Sequence, residues 1–309
     1  MIWLTWRQHR LMVALVGAVL IGFATWFLLL GNGMRDWLGR AELVDCIGIG
    51  IDCGEWTSSL SMLSNLQGTL LPVLPALIGA FLGAPMLTRE IEQRTFRYAW
   101  TQGISREHWL FSKVFLLGGA VAVLSTVFSA AYVWYFQPAV PEWSWFEAFG
   151  MVLPSFPATC VFGFALGVLA GTVTKHLLVG MALSLVGFLA VFLPVVAWLR
   201  PHYMSPQRLT ADEYYRGPRG WVTESVYRSP EGEEFDIFGA LRASGVPHAP
   251  NSVGSAEMDQ LSAAGYTRIL LVQPGSRFWT FQFVDAGVFL VLGAACIALT
   301  CWLLRRKAI

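Results

Sequence analysis

The stretch Gly83-Ala-Pro85-Met-Leu-Thr-Arg89-Glu90-Ile-Glu92-Gln-Arg94-Thr95-Phe-Arg97-Tyr-Ala-Trp100-Thr-Gln102-Gly103-Ile-Ser-Arg106-Glu107-His108-Trp109 is a charged island between two of the most apolar runs in the chain. Residues of both signs cannot sit in hydrocarbon, whereas the flanking runs cannot sit comfortably in water. The island therefore reads as a surface segment joining two membrane spans.

Composition extends that reading to the whole chain. Charged residues make up 13% of 309, about half the roughly 25% of soluble domains, and mean hydropathy is +0.55. A span needs roughly 20 mainly apolar residues, and six stretches qualify, at about 11–30, 66–87, 110–136, 148–173, 177–199 and 278–304. The predicted fold is an all-α polytopic membrane protein of six transmembrane helices, with a small mixed α/β extracellular insertion before the last.

An even number of spans puts both termini on one side. Arg7, Arg10, the island's Arg89, Arg94, Arg97 and Arg106, then Lys175 and Arg305-Arg306-Lys307, all fall on that side if the spans alternate. The positive-inside rule makes it the cytoplasm. The net charge of +1 says nothing about partners, because the charges are segregated by side.

Residues 1–10, with Trp3 and Trp6 beside Arg7, His9 and Arg10, suit a short interfacial helix or a simple positive flank. The loop 31–65 faces the exterior and holds Cys46 and Cys53, which flank a Gly-containing turn. In an oxidising compartment they close a small disulfide loop or remain two free thiols. Cys160, Cys296 and Cys301 lie inside spans as small apolar residues.

The second span carries Pro72, Pro75, Gly79, Gly83 and Pro85, which predicts an irregular helix packed against protein. The same breaks suit a flexible lever and a kinked buried helix alike. The fourth span places Gly163, Gly167 and Gly171 at i, i+4 and i+8, a stripe that lets another helix approach closely. His176, in the short turn after it, reads as a headgroup-facing polar residue.

The segment 200–277 changes character. Trp221–Tyr227 alternates like a strand, 229–233 reads as a turn, and Phe235–Phe238 as a second strand or a helix start. Ser255–Ala264 reads as a helix capped by Ser255, and Thr267–Val272 as a strand. The last span, 278–304, contains Gln282 and Asp285 three apart on one face. They read as an outer translocation path, or as a boundary carboxylate paired with a neighbour such as Arg277. Residues 305–309 form a cytoplasmic tail.

No phosphate-binding loop, His-Glu-x-x-His or Gly-x-Ser-x-Gly motif is present, and no metal-ligand pattern. The chain reads as non-catalytic, so the island, 88–109, reads either as a solvated loop or as the docking surface for a partner that supplies energy.

The run 74–109, LPALIGAFLGAPMLTREIEQRTFRYAWTQGISREHW, resembles the signature of membrane subunits of type-2 ABC exporters from Gram-positive bacteria. Thr5-Trp6-Arg7-Gln8-His9-Arg10 and Gln273-Pro-x-Ser-Arg277-Phe-Trp-x-Phe-Gln282 are similar to the same family. Two features depart from it: Arg94 stands where relatives place Gly, and 200–277 is longer than their outer hairpin.

The resemblance implies a permease that exports an amphipathic antibiotic, peptide or lipid. Arg89, Glu90, Glu92, Arg94, Thr95, Arg97 and Arg106 would be the ATPase-coupling residues. The implied partners are an ABC ATPase in two copies, a second permease subunit, identical or homologous, and the lipid bilayer, with no nucleic acid. The chain itself would carry no cofactor, ATP and Mg being bound by the ATPase. A membrane sensor with an external ligand domain is the rival reading, and an enzyme sited in that domain a weaker third.

Intact-mass measurement on non-reduced and reduced protein is expected to show a gain of two hydrogens on reduction, from a Cys46–Cys53 bond. Two free thiols in the non-reduced sample would dismiss it.

Overall fold

Six helices among the described residues are long and apolar enough to cross a membrane: Arg7–Gly33, Leu71–Glu90, Glu107–Ala139, Ser155–Thr174, Leu177–His202 and Gly275–Arg306. The computed structural model describes residues 2–38, 71–92, 106–140, 144–247 and 253–306. Cys46, Cys53, Arg94, Thr95 and Arg97 lie outside them. The chain forms two compact units, a helical one (Met1–Pro138, Ala148–Arg200, Phe281–Ile309) and a smaller one (Ala139–Glu147, Pro201–Thr280).

The first helix, α1, is continuous over Ile2–Leu38. It absorbs both the interfacial helix expected over 1–10 and the first residues of the expected loop from 31. No proline interrupts residues 1–38, so nothing breaks the backbone hydrogen bonding between the two segments.

The second span is the irregular one. A 3₁₀ turn, Leu71–Val73, leads into α2, Leu74–Ile78, then a π turn, Gly79–Gly83, and α3, Ala84–Glu92. Pro72 and Pro75 fall near the start, where a missing N–H has no helical partner to lose. Pro85 cannot donate to residue 81, and just before it the Ala84 N–H reaches back five residues to Gly79.

The next three helices are α4, Arg106–Phe136, α5, Ser155–Thr174, and α6, Leu177–Pro194. The fourth span begins at Ser155 rather than 148, because Pro154 stands as its N-cap and a 3₁₀ turn, Phe149–Met151, precedes it. The fifth passes Pro194 through a π turn, Val195–Leu199, and a 3₁₀ turn, Arg200–His202. Arg200 thus belongs to the helical unit, not to the insertion that was expected to begin with it.

Spans two and four form the centre of the helical unit: 78% of each core window is buried, against 22–33% for the other four. Glycine is the reason. A β-carbon on Gly163 would fall on the Pro75 carbonyl, one on Gly167 on the Gly79 carbonyl, and one on Gly171 on Thr88 and the Ala84 carbonyl. Gly79 and Gly83 meet the Gly163 and Phe164 carbonyls in return. The predicted small-residue stripe is therefore a backbone-to-backbone seam. Around it, Phe162, Phe188 and Phe289 join spans four, five and six, with Phe162 ring centroids 5.9 and 5.6 Å from the other two. Phe27 packs edge-on to Phe128 and Tyr132 to join spans one and three.

The smaller unit is a four-stranded antiparallel sheet in the order β1-β4-β2-β3. Its elements are β1 (Gln207–Thr210), α7 (Ala211–Arg216), β2 (Trp221–Arg228), β3 (Glu234–Phe235), α8 (Ile237–Ser244), α9 (Ser255–Ala263) and β4 (Thr267–Gln273). The strands and helices expected from 221 onward are all present. Ser255 is the first residue of α9 rather than its cap; Gly254 is the N-cap, and its N–H donates to the Glu257 carboxylate at 2.9 Å. Arg208 and Arg228 both hold Glu234, pulling its carboxyl below the usual carboxylate range. The last helix, α10, runs over Phe278–Arg306.

Gly167→Ala is expected to destabilise the protein by about 1–3 kcal/mol or more, since the clash is with backbone and no rotamer relieves it. Gly119→Ala is the control: its β-carbon meets nothing within 4 Å, so a small gain of about 0.5–1 kcal/mol is expected. Thermal unfolding in detergent measures both, and equal midpoints would argue against a tight seam.

Candidate functional site

Two polar clusters occupy opposite ends of the helical unit. The first gathers the end of α3, the start of α4 and the turn between α5 and α6. Lys113 of α4, with only 3% of its side chain exposed, donates to the Glu90 carboxylate of α3. Its ammonium also lies 4.7 Å from the centre of the Trp109 ring. His9 of α1 is buried near Lys113 and Arg89.

The turn shows how the chain reverses in so few residues. α5 ends on Lys175 in the left-handed region, φ 58°, with its N–H bonded to the Gly171 carbonyl at 3.0 Å. α6 then starts without a cap from its own His176. Glu92 supplies one instead: its carboxylate accepts the Leu177 N–H at 2.8 Å, where an anion also suits the helix dipole. His176, 77% exposed in its side chain, stands 3.8 Å from the same carboxylate. Arg305 of α10 pairs with Glu107 at 2.7 Å at this end.

Two of the expected coupling residues are thus held inside the chain. Glu90 is engaged by Lys113 and Glu92 by the α6 N-terminus, whereas Arg89 is exposed. Arg106 opens α4, and its side chain lies outside the described residues, as do Arg94, Thr95 and Arg97.

The second cluster centres on Asp285. Its carboxylate, 0% exposed, receives Nε and Nη2 of Arg200, each at 3.1 Å, and the Ser155 hydroxyl. Arg200 also lies with its guanidinium 4.3 Å from the centre of the Phe149 ring. Gln282, likewise 0% exposed, accepts the Ser155 N–H at 3.1 Å and donates to the Phe149 carbonyl at 2.8 Å.

The two residues expected on an outer path are therefore brought together as a lock between spans four, five and six. Arg277 is not the partner of Asp285. It bonds the Ser205 carbonyl at 2.7 Å and Gln273 Oε1 at 2.9 Å within the smaller unit. A charge in a span survives only when paired, and the fork of Arg200 pairs both carboxylate oxygens.

A family model described as ABC-2 membrane transporter related matches residues 17–200, more than half of the chain. The chain belongs to this family. As an ABC-2 membrane protein it is a multi-pass permease component of an ABC transporter. The matched region covers the glycine seam and the Glu90–Lys113 cluster, and ends at Arg200. No curated protein matches the chain.

Lys113 and Arg200 were the ABC-2 residues that sequence reasoning passed over. Both lie at predicted span boundaries, where basic residues are ordinarily topology signals. No local signal marks their partners, which stand on other spans.

Asp285→Asn is expected to cost about 3–5 kcal/mol by leaving Arg200 buried without a counter-charge. The double variant Arg200→Met, Asp285→Leu is expected to recover most of that loss. Thermal unfolding of Arg200→Met, Asp285→Leu and their double measures the coupling, and simply additive losses would rule out the pair.

Proposed function

We propose that the chain is the non-catalytic membrane subunit of a bacterial exporter, of the type found in Gram-positive bacteria, that moves an amphipathic antibiotic, peptide or lipid outward. A separate ABC ATPase, two copies per complex, binds and hydrolyses Mg·ATP, and a second permease, identical or homologous, completes the path. Both termini and the 88–109 segment lie in the cytoplasm by the positive-inside rule, and the sheet-bearing unit lies outside.

The observation that carries this reading is the family match across the seam and the charged end of α3. An ATPase that pushes on this end meets a segment rooted in α3, and α3 is fused by backbone contact to α5. The contact residues of this reading are Arg89, which is exposed, and, from the sequence of the same segment, Arg94, Arg97 and Arg106. Glu90 and Glu92 act as anchors that fix the root of the segment to α4 and α6.

Co-expression with an ATPase subunit encoded alongside this chain is expected to give a co-purifying complex. Reversal of Arg89, Arg94 and Arg97 to Glu should abolish stimulation of ATP hydrolysis while membrane insertion and thermal midpoint stay unchanged. Glu90→Lys should instead lower the midpoint, because it sets two cations against each other in a nearly buried site. Full stimulated ATPase activity in the triple reversal would refute the coupling assignment.

A further inference from the structure

The smaller unit contains a cleft of about 360 Å³ where α9 and the start of α7 meet strands β2 and β4. Its wall includes Asp212, Tyr227, Met258, Leu261, Tyr266 and Arg268. Tyr227 and Arg268 are direct partners in the antiparallel register, so their side chains leave the sheet on the same face. Tyr227 is only 3% exposed and packs among Ala240, Leu241 and Leu261.

Among the described residues neither the Tyr227 hydroxyl nor Nε of Arg268 has a hydrogen-bond partner. Buried donors are nearly always satisfied, and two at one cleft point to an acceptor from outside the chain. Other arginines of this sheet are held: Arg208 and Arg228 both pair with Glu234. Arg268 makes no ion pair with any carboxylate among the described residues.

The chemistry narrows what fits. An O–H and a guanidinium N–H on two residues that line one cleft suit a carboxylate. Asp212, exposed at the rim, disfavours a phosphate or other polyanion and favours a cationic group beside the carboxylate. Met258, Leu261 and the Tyr266 ring offer an apolar wall.

We propose that this cleft binds a small apolar amino acid, its carboxylate held by Tyr227 and Arg268 and its ammonium by Asp212. The site lies wholly within the smaller unit and stands whether or not the chain exports a substrate.

Isothermal titration of the detergent-solubilised full chain tests it with three probes: L-leucine, N-acetyl-L-leucine, which lacks the ammonium, and L-leucinamide, which lacks the carboxylate. L-Leucine should bind at or below about 1 mM and L-leucinamide should show no saturable heat up to about 10 mM. Tyr227→Phe, which keeps the ring and its packing, and Arg268→Gln should each weaken L-leucine by about tenfold. Asp212→Asn should weaken L-leucine but leave N-acetyl-L-leucine unchanged. Near-ultraviolet circular dichroism identical to the parent shows that each variant is folded. Absence of L-leucine binding, equal binding of L-leucinamide, or unaltered binding by the folded Tyr227→Phe and Arg268→Gln variants would overturn the proposal.

Discussion

The helical unit depends on one constraint: two polypeptide backbones lie directly against each other along a glycine face. Within a membrane there is little hydrophobic gain from helix association, so close packing and backbone complementarity must supply the adhesion. Gly163, Gly167 and Gly171 provide a flat face, and Pro75, Gly79 and Ala84 set carbonyls directly on it. The π turn at Gly79–Gly83 belongs to the same device, because it re-aims the second span along that face where Pro85 has removed a donor. Spans one, three, five and six are then free to present more of their surface outward.

The two polar clusters are the electrostatic counterpart of the seam. Each contains a cation that sequence reasoning would assign to a membrane surface and an acid that finds it from another span. Glu90–Lys113 joins spans two and three, and Arg200–Asp285 joins spans five and six through Ser155 of span four. Neither acid is available as a free group, which distinguishes them from the exposed Arg89 only one residue away from Glu90. Adjacent residues of one helix point about 100° apart, so one faces protein while the next faces outward.

Much of this was legible in the order of residues. Apolar run length alone locates six spans, and the i, i+4, i+8 glycines announce the seam, because both signals are local. Strands β2 and β4 and helix α9 were legible from alternation and turn residues, whereas Phe235–Phe238 reads as a strand or a helix start and holds the end of β3 and the beginning of α8. Strand β1 and helix α7 were not: Gln207–Thr210 is short and polar at all but Leu209, and only pairing with Ile269–Val272 makes it a strand. The ion-pair partners were hidden for the same reason. The separation of 85 residues between Arg200 and Asp285 leaves no local trace, and the nearer Arg277 was the obvious but wrong choice.

That separation also imposes an order of events on the growing chain. Arg200 emerges first, at the end of the fifth span, and its counter-charge is not yet made. At roughly 5–20 residues per second, synthesis of the intervening 85 residues takes roughly 4–17 s. Throughout that interval the guanidinium must rest on water, headgroups or the Phe149 ring. The sheet of the smaller unit is translated entirely within the same interval, before the sixth span arrives with Asp285. Closure of the helical unit is therefore a late step of biogenesis, one that follows emergence of the insertion.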